Sequence, residues 1–288
     1  MIYELNLAQP ERSDIEFKVS QFPDGQQSIK ITKVPKEADT NDEVQILSRM
    51  NSFRDVEVII CAAKALRGLG VKDVSLYIPY CLGGRSDRKF EEGSINYIKE
   101  VIAPIINMQN FSKVTIMDPH SDVLEACINN FEKESNFELV DFALRDLGGK
   151  PDAYTLVSPD AGAMKKIYAV SERTKISDIV VASKVRDVST GKIVYTDVPV
   201  TMSHANKKFL IIDDICDGGR TFVEIAKSIR EKFPEAEVFL IVTHGIFSSG
   251  YRELATYFTG IYTTNSIHDI GFGEPAESGF FIKELKLF

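Results

Sequence analysis

The segment that most constrains the fold is Phe209-Leu210-Ile211-Ile212, followed at once by Asp213-Asp214-Ile215-Cys216-Asp217-Gly218-Gly219-Arg220-Thr221. Four consecutive apolar residues leave no polar face, which is the pattern of a central parallel strand covered on both sides. Beyond Thr221, Phe222, Ile225, Ala226, Ile229 and Phe233 recur at helical spacing. The chain therefore turns from a strand through an acidic, glycine-bearing loop into an amphipathic helix. Ligands of open parallel sheets sit at this end of the strands. Gly218 and Gly219 let backbone N–H groups face inward, and the helix start adds partial positive charge, so the loop can hold a phosphate without a lysine. Asp213 and Asp214 suit the vicinal hydroxyls of a sugar, or water bound to a divalent cation. A bare D-D-x-x-D reads equally well as a turn that only caps its helix.

The same rhythm runs along the rest of the chain. Val56, Ile59, Ile60, Ala63 and Leu66 form one face of a helix over Asp55 to Arg67, which Gly68 and Gly70 stop. A strand over Val74 to Ile78, a polar loop from Tyr80 to Gly93, a helix bearing Ile95, Ile98, Val101, Ile102 and Ile105, and a strand over Lys113 to Met117 follow. The second half repeats the alternation, with strands at 153–157, 179–182, 209–212, 238–242 and 260–263 and helices from about Gly162 and over Phe222 to Phe233. Such alternation predicts parallel sheets flanked by helices. Thr190-Gly191-Lys192 separates two short alternating runs and suggests a projecting hairpin able to close over a site.

With 288 residues and 44% apolar content, two domains are expected, 1–140 and 141–288, with the break near Ser135 to Pro151 and a last strand that can pack back on the first domain. A formal charge of -8 without a dense basic patch argues against nucleic-acid binding. No basic start is followed by an apolar run, and no stretch approaches 18 uncharged apolar residues, so neither secretion nor membrane spanning is expected. Cys61, Cys81, Cys127 and Cys216 lie far apart, the pattern of a cytoplasmic protein without disulfides. No G-K-[ST] occurs, so any use of ATP needs something other than a Walker loop. Gly271-Phe272-Gly273-Glu274-Pro275-Ala276 matches a dinucleotide fingerprint by letter, but Pro275 and the missing amphipathic helix argue against it.

A set of short motifs carries a resemblance. Phe22-Pro23-Asp24-Gly25, Ile78-Pro79-Tyr80 through Arg85-Ser86-Asp87-Arg88-Lys89, Asp118-Pro119-His120, Ser158-Pro159-Asp160, Lys184-Val185-Arg186, the acidic loop, Thr243-His244-Gly245-Ile246-Phe247-Ser248 and Thr264-Asn265-Ser266-Ile267 occur in this order. Each alone is weak. Together they resemble the ribose-phosphate pyrophosphokinase (PRPP synthetase) family over nearly the whole chain, in a divergent form. The resemblance implies an α/β fold of two tandem type I phosphoribosyltransferase-like domains, each a mostly parallel sheet flanked by helices. It also implies transfer of the β,γ-diphosphoryl group of ATP to the C1 hydroxyl of ribose 5-phosphate, with Mg2+, and a homo-oligomer, either a dimer or a hexamer built from dimers.

Residue by residue, the resemblance assigns Lys184 and Arg186 to catalysis, since they match its K-x-R pair at the base of the hairpin. Phe22, Asp24, Arg85, Ser86, Asp87 and Arg88 would hold ATP, with Phe22 and Asp24 reaching a neighbouring subunit's nucleotide. Asp213, Asp214, Asp217, Gly218, Gly219, Arg220 and Thr221 would hold the ribose phosphate, and His120 and Asp160 the metal. The bland alternatives are solvated charges for Lys184 and Arg186, a structural histidine for His120, and a helix cap for Asp160.

Departures from the family pattern bear on the acceptor. Gly218 stands where Thr is usual and Arg220 where Gly is usual, so a hydroxyl is lost, room is gained and a cation is added. Ser86 replaces Gln, Phe90-Glu91-Glu92-Gly93 replaces a more basic stretch, and no C-terminal helix follows Phe280 to Leu287. The acceptor can then be larger than ribose 5-phosphate, with ADP-ribose the candidate that would place the enzyme in NAD metabolism. Two other readings are a non-catalytic regulatory relative, which should lose the K-x-R or metal residues, and a phosphoribosyltransferase, which needs one such domain and no ATP loop.

Overall fold

Buried strands alternating with one-faced helices build two parallel sheets. A computed structural model describes residues 1–34, 42–186, 193–270 and 279–288. The Thr190-Gly191-Lys192 turn and the Gly271 to Ala276 match lie outside these. The chain divides into two compact units, Met1–Ser135 together with Phe288, and Asn136–Leu287.

The first unit contains β1 (Ile2–Asn6), β2 (Glu16–Gln21), β3 (Gln27–Lys33), β4 (Glu43–Leu47), α1 (Phe53–Gly68), β5 (Asp73–Tyr77), α2 (Ala103–Asn107, continuing a π-helical turn Ile98–Ile102), β6 (Val114–Met117), α3 (Val123–Cys127) and β7 (Phe131–Glu134). Its sheet runs β1-β4-β5-β6-β7, and every pairing in it is parallel. Helix α1 starts where the sequence allows it. Ser52 accepts from the Asp55 N–H, and the Asp55 carboxylate accepts from the Ser52 N–H, closing a capping box. Val56, Ile59, Ala63 and Leu66 then pack with Ile46, Val74 and Leu76 of the sheet in one core. The antiparallel β2–β3 hairpin stands apart from this sheet.

The second unit contains α4 (Phe137–Leu147), β8 (Tyr154–Ser158), α5 (Met164–Thr174), β9 (Ile179–Val181), β10 (Ser183–Arg186), β11 (Ile193–Asp197), β12 (Lys208–Cys216), α6 (Arg220–Lys232), β13 (Val238–Gly245), α7 (Arg252–Tyr257), β14 (Gly260–Thr264) and β15 (Phe281–Leu285). Its sheet is also parallel throughout, in the order β15-β14-β13-β12-β8-β9. The central strand is covered on both faces, as its four apolar residues require. Phe209 and Ile211 pack with Phe222, Ile225, Ala226 and Ile229 of α6. Leu210 and Ile212 pack with Leu139, Val140 and Ala143 of α4 and Ile167 and Val170 of α5. Each fully buried side chain of this size contributes about 1.5–3 kcal/mol, so α6 is fixed to the sheet mainly by these contacts.

Several expectations are corrected. The acidic segment is not all loop: β12 continues through Asp213 and Asp214 to Cys216, because β13 runs beside it as far as Gly245 and keeps pairing with it, Asp213 with Val242 and Ile215 with His244. Only Asp217 to Gly219 connects strand to helix, and the helix begins at Arg220 rather than Phe222. The last strand, β15, pairs with β14 in the second sheet. Residues 137–147, read as part of a break, form α4, whose Leu139, Val140 and Ala143 are fully buried. Gly148 and Gly149, both at positive φ, end α4, while the division between the two units falls at Ser135–Asn136.

Candidate active site

In the second sheet the chain order reverses direction between β8 and β12: β9 lies on one side of β8, and β12 to β15 follow on the other. The crevice beyond the carboxyl ends of two such strands is the binding position of open parallel sheets. Two of the sequence motifs end there. Ser158-Pro159-Asp160 leaves β8, and Asp213 to Thr221 completes β12 and opens α6.

β12 pairs with β8 only as far as Ile211 with Val157, so beyond that point the strand has β13 on one side and the crevice on the other. Asp213 and Asp214 occupy this extension. Asp214 is 6% exposed, and Lys166 Nζ, reaching over from α5, lies 3.5 Å from its Oδ1. The Asp214 N–H donates to Asp213 Oδ1 at 2.9 Å. Burial and the neighbouring Asp214 carboxyl raise Asp213 well above the ordinary carboxylate range, against a smaller opposing pull from Lys166. The pair thus presents both hydrogen-bond acceptors and a carboxyl that holds its proton, a donor and acceptor set that matches vicinal hydroxyls.

The connection from β12 to α6 is tight. Gly219 has φ +82°, and a Cβ there would lie 3.1 Å from Leu254 Cδ2, so both backbone and packing demand glycine. No side chain caps the N-terminus of α6, which leaves its N–H groups available to an anion. The loop after β13 is stitched onto this turn. Ile246 and Phe247 donate N–H to the Cys216 carbonyl and Ser248 N–H to that of Asp217, while Ser248 Oγ donates to Asp217 Oδ1 at 2.6 Å. The room expected beside Gly218 is not open: a Cβ would lie 3.0 Å from Ser249 Oγ and 3.8 Å from Ser248 Oγ. Thr221 is half-buried. Arg220 is exposed and, among the described residues, makes no ion pair or hydrogen bond. A lone cation at a helix N-terminus opposes the helix dipole and is relieved by an anion.

Asp160 is exposed, and its Oδ1 accepts from the N–H groups of Gly162 and Ala163 at 2.8 and 3.2 Å. The carboxylate thus closes a turn ahead of α5, whose N-cap is Ala163 without a side-chain cap, so Asp160 does not cap that helix, and Oδ2 remains for a further partner. Among the described residues no three His, Cys, Asp or Glu side chains form a metal-binding group. Mg2+ keeps most of its waters and is commonly held by one or two carboxylates plus substrate phosphates, and the spare oxygen of Asp160 is a donor of that kind. His120 is exposed in the turn after β6, just past Asp118, which adopts φ +43°. Lys184 and Arg186 lie on β10, whose backbone pairs antiparallel with β11, Lys184 with Thr196 and Arg186 with Ile193 across an irregularity between Val185 and Arg186. They belong to the base of a hairpin, as the alternating runs suggest. Burial pushes the Cys81 and Cys216 thiols up to about 12, which leaves them inert as nucleophiles.

In the first unit, Phe22 and Asp24 form the exposed tip of the β2–β3 hairpin. Phe22 is 51% exposed, and Asp24 Oδ1 accepts from the Gln26 N–H at 3.1 Å. Arg85 and Arg88 are exposed and Ser86 is half-buried. Gly83 has φ +75°, and a Cβ there would fall 2.3 Å from the Tyr97 ring, so the backbone's close approach is to that ring. Asp87 is buried at 4% exposure, facing inward. Its carboxylate accepts from Ser121 and Arg88, which together hold it below the usual range against the upward push of desolvation. Lys166, Ser121 and Ser249 are the residues that the sequence reading does not single out; each reaches its partner from another element, and no local spacing marks it.

No protein-family model matches the chain. Among curated proteins it is 25% identical over 259 residues to the ribose-phosphate pyrophosphokinase of Sulfurisphaera tokodaii, covering 88% of this chain and 84% of that one. It is likewise 25% identical over 245 residues to that of Thermococcus kodakarensis, covering 83% and 81%. Among solved structures it matches phosphoribosylpyrophosphate synthetase from Mycobacterium smegmatis with TM-score 0.79 and 16% identity, over 99% of this chain and 94% of that one. The fold is that of type I phosphoribosyltransferase-like α/β units, parallel sheets flanked by helices. The chain is a divergent relative of the ribose-phosphate pyrophosphokinases.

Proposed function

We propose that the protein is an enzyme that transfers the diphosphoryl group of ATP to the C1 hydroxyl of ribose 5-phosphate, making phosphoribosyl diphosphate and releasing AMP. The observation that carries this reading is the β12–α6 turn at the reversal point of the second sheet. There a partly protonated carboxyl pair stands on one side of an uncapped helix N-terminus, so sugar hydroxyls and a 5-phosphate are both provided for. In the transfer the C1 oxygen attacks the β-phosphorus, and the bond from that phosphorus to the oxygen of the AMP leaving group breaks. Negative charge gathers on the moving phosphates, which calls for cations more than for covalent catalysis. Lys184 and Arg186 would supply two such cations, and Mg2+ arriving with ATP would supply another, with His120 and Asp160 the residues that the family resemblance assigns to it. Arg85, Ser86, Asp87 and Arg88 belong to the nucleotide loop, and Phe22 and Asp24 to a site shared with a second copy of the chain. The test is AMP release from ATP and Mg2+ with and without ribose 5-phosphate; release that ignores the acceptor sinks the reading.

Arg220 favours a second acceptor. Exposed and without a protein partner among the described residues, its guanidinium is free to meet the second phosphate of a 5-diphosphate such as that of ADP-ribose. Competing the two acceptors, Arg220→Gly should lower use of ADP-ribose about tenfold, the worth of a charge-assisted hydrogen bond, and spare ribose 5-phosphate. Equal loss on both would remove this second reading.

A further inference from the structure

The nucleotide loop holds an arginine that is fixed from two sides. Arg88 is 68% exposed, yet its Nε donates to Asp87 Oδ1 at 3.0 Å, and its guanidinium carbon lies 5.7 Å from the centroid of the Phe90 ring. Asp87 is itself locked. Its carboxylate also accepts from the Ser121 hydroxyl, and its carbonyl accepts from Asn96 Nδ2 at 2.5 Å. A carboxylate this buried is out of reach of a ligand, but it can aim a neighbour that is not. Phe90 is 66% exposed, and one face of its ring underlies the guanidinium.

With Nε taken, the two terminal nitrogens of Arg88 have no protein partner among the described residues. They form the planar fork that matches two oxygens of a phosphate. Ordering a free arginine at the moment of binding costs rotamer freedom, and ordering it beforehand removes that cost from the binding step. Ser121 follows His120 directly, so the same buried carboxylate joins this loop to the turn assigned to the metal.

We propose that Asp87 and Phe90 are positioning residues that hold Arg88 as a preformed fork for the polyphosphate of the nucleotide. The proposal rests on the nucleotide reading of this loop. It is tested on the full chain by calorimetric titration with ATP and Mg2+, alongside separate KM values for ATP and for ribose 5-phosphate. Phe90→Ala should weaken ATP binding about threefold, the worth of an exposed cation–π contact. Phe90→Tyr should restore it, and the KM for ribose 5-phosphate should stay unchanged. Asp87→Asn should weaken ATP binding about tenfold, as loss of a charge-assisted bond does, and Arg88→Lys should resemble it although the charge is kept. If Asp87→Asn fails to fold, the Phe90 pair decides alone. Wild-type ATP affinity in Phe90→Ala, or an equal rise of both KM values, overturns the proposal and leaves the enzymatic reading standing. A wild-type protein that binds no ATP overturns both.

Discussion

One residue far from its ordinary chemistry is Asp213. Its carboxyl, raised by burial and by Asp214, keeps its proton in the folded protein at pH values where the unfolded chain has released it. A group raised in the folded state contributes stability that is complete below the ordinary carboxylate range and is lost as pH rises through the raised value. Asp213→Asn carries a neutral amide in place of the carboxyl and removes that dependence. Wild-type protein without ligand should therefore fall behind Asp213→Asn by several degrees in Tm as pH goes from 6 to 9. Parallel Tm profiles for the two proteins would show that the pair does not share its charge as described. A sugar whose hydroxyls satisfy the pair should bind with pH dependence in the same window, a signature that a simple helix cap lacks.

At the scale of elements, the connection Asp217 to Gly219 is the part with least freedom. Gly219→Ala has to place a side chain at φ +82° and against Leu254, a strain of about 1–3 kcal/mol. Urea unfolding should show that loss, and AMP formation should fall with it because the helix N-terminus is displaced. Unchanged stability would mean that the turn relaxes freely. What the sequence told in advance follows the same logic of constraint. Strands buried on both faces and helices with one apolar stripe were legible, since β12, β13, α1 and α6 declare themselves by periodicity alone. The β2–β3 hairpin went unread although Phe17 and Val19, and Ile29 and Ile31, alternate with polar residues, because each strand carries only two apolar residues and is largely exposed. The length of β12 was missed because pairing with β13, not local propensity, extends it through two aspartates. The acidic motif and the glycine turn that follows it were readable from letters. Lys166 on Asp214, Ser121 on Asp87 and Ser248 on Asp217 were not, since contacts between elements leave no spacing behind.

At the scale of the whole molecule, both units follow one plan, a parallel sheet whose carboxyl-terminal strand ends lead into polar, ligand-competent turns. Among the described residues no helix is long and apolar enough to cross a membrane. The relatives that share this plan are named for making phosphoribosyl diphosphate, and the Asp213–Asp214 pair beside an uncapped helix is the feature of this chain that suits the same acceptor. The most direct measurement follows ATP, AMP and ribose 5-phosphate together by phosphorus NMR, with purified protein and Mg2+. One AMP should appear for each ribose 5-phosphate converted to a C1 diphosphate, and Lys184→Ala should lower that rate by several orders of magnitude. No AMP with ribose 5-phosphate or with any larger 5-substituted ribose, or an undiminished rate in Lys184→Ala, would contradict the account.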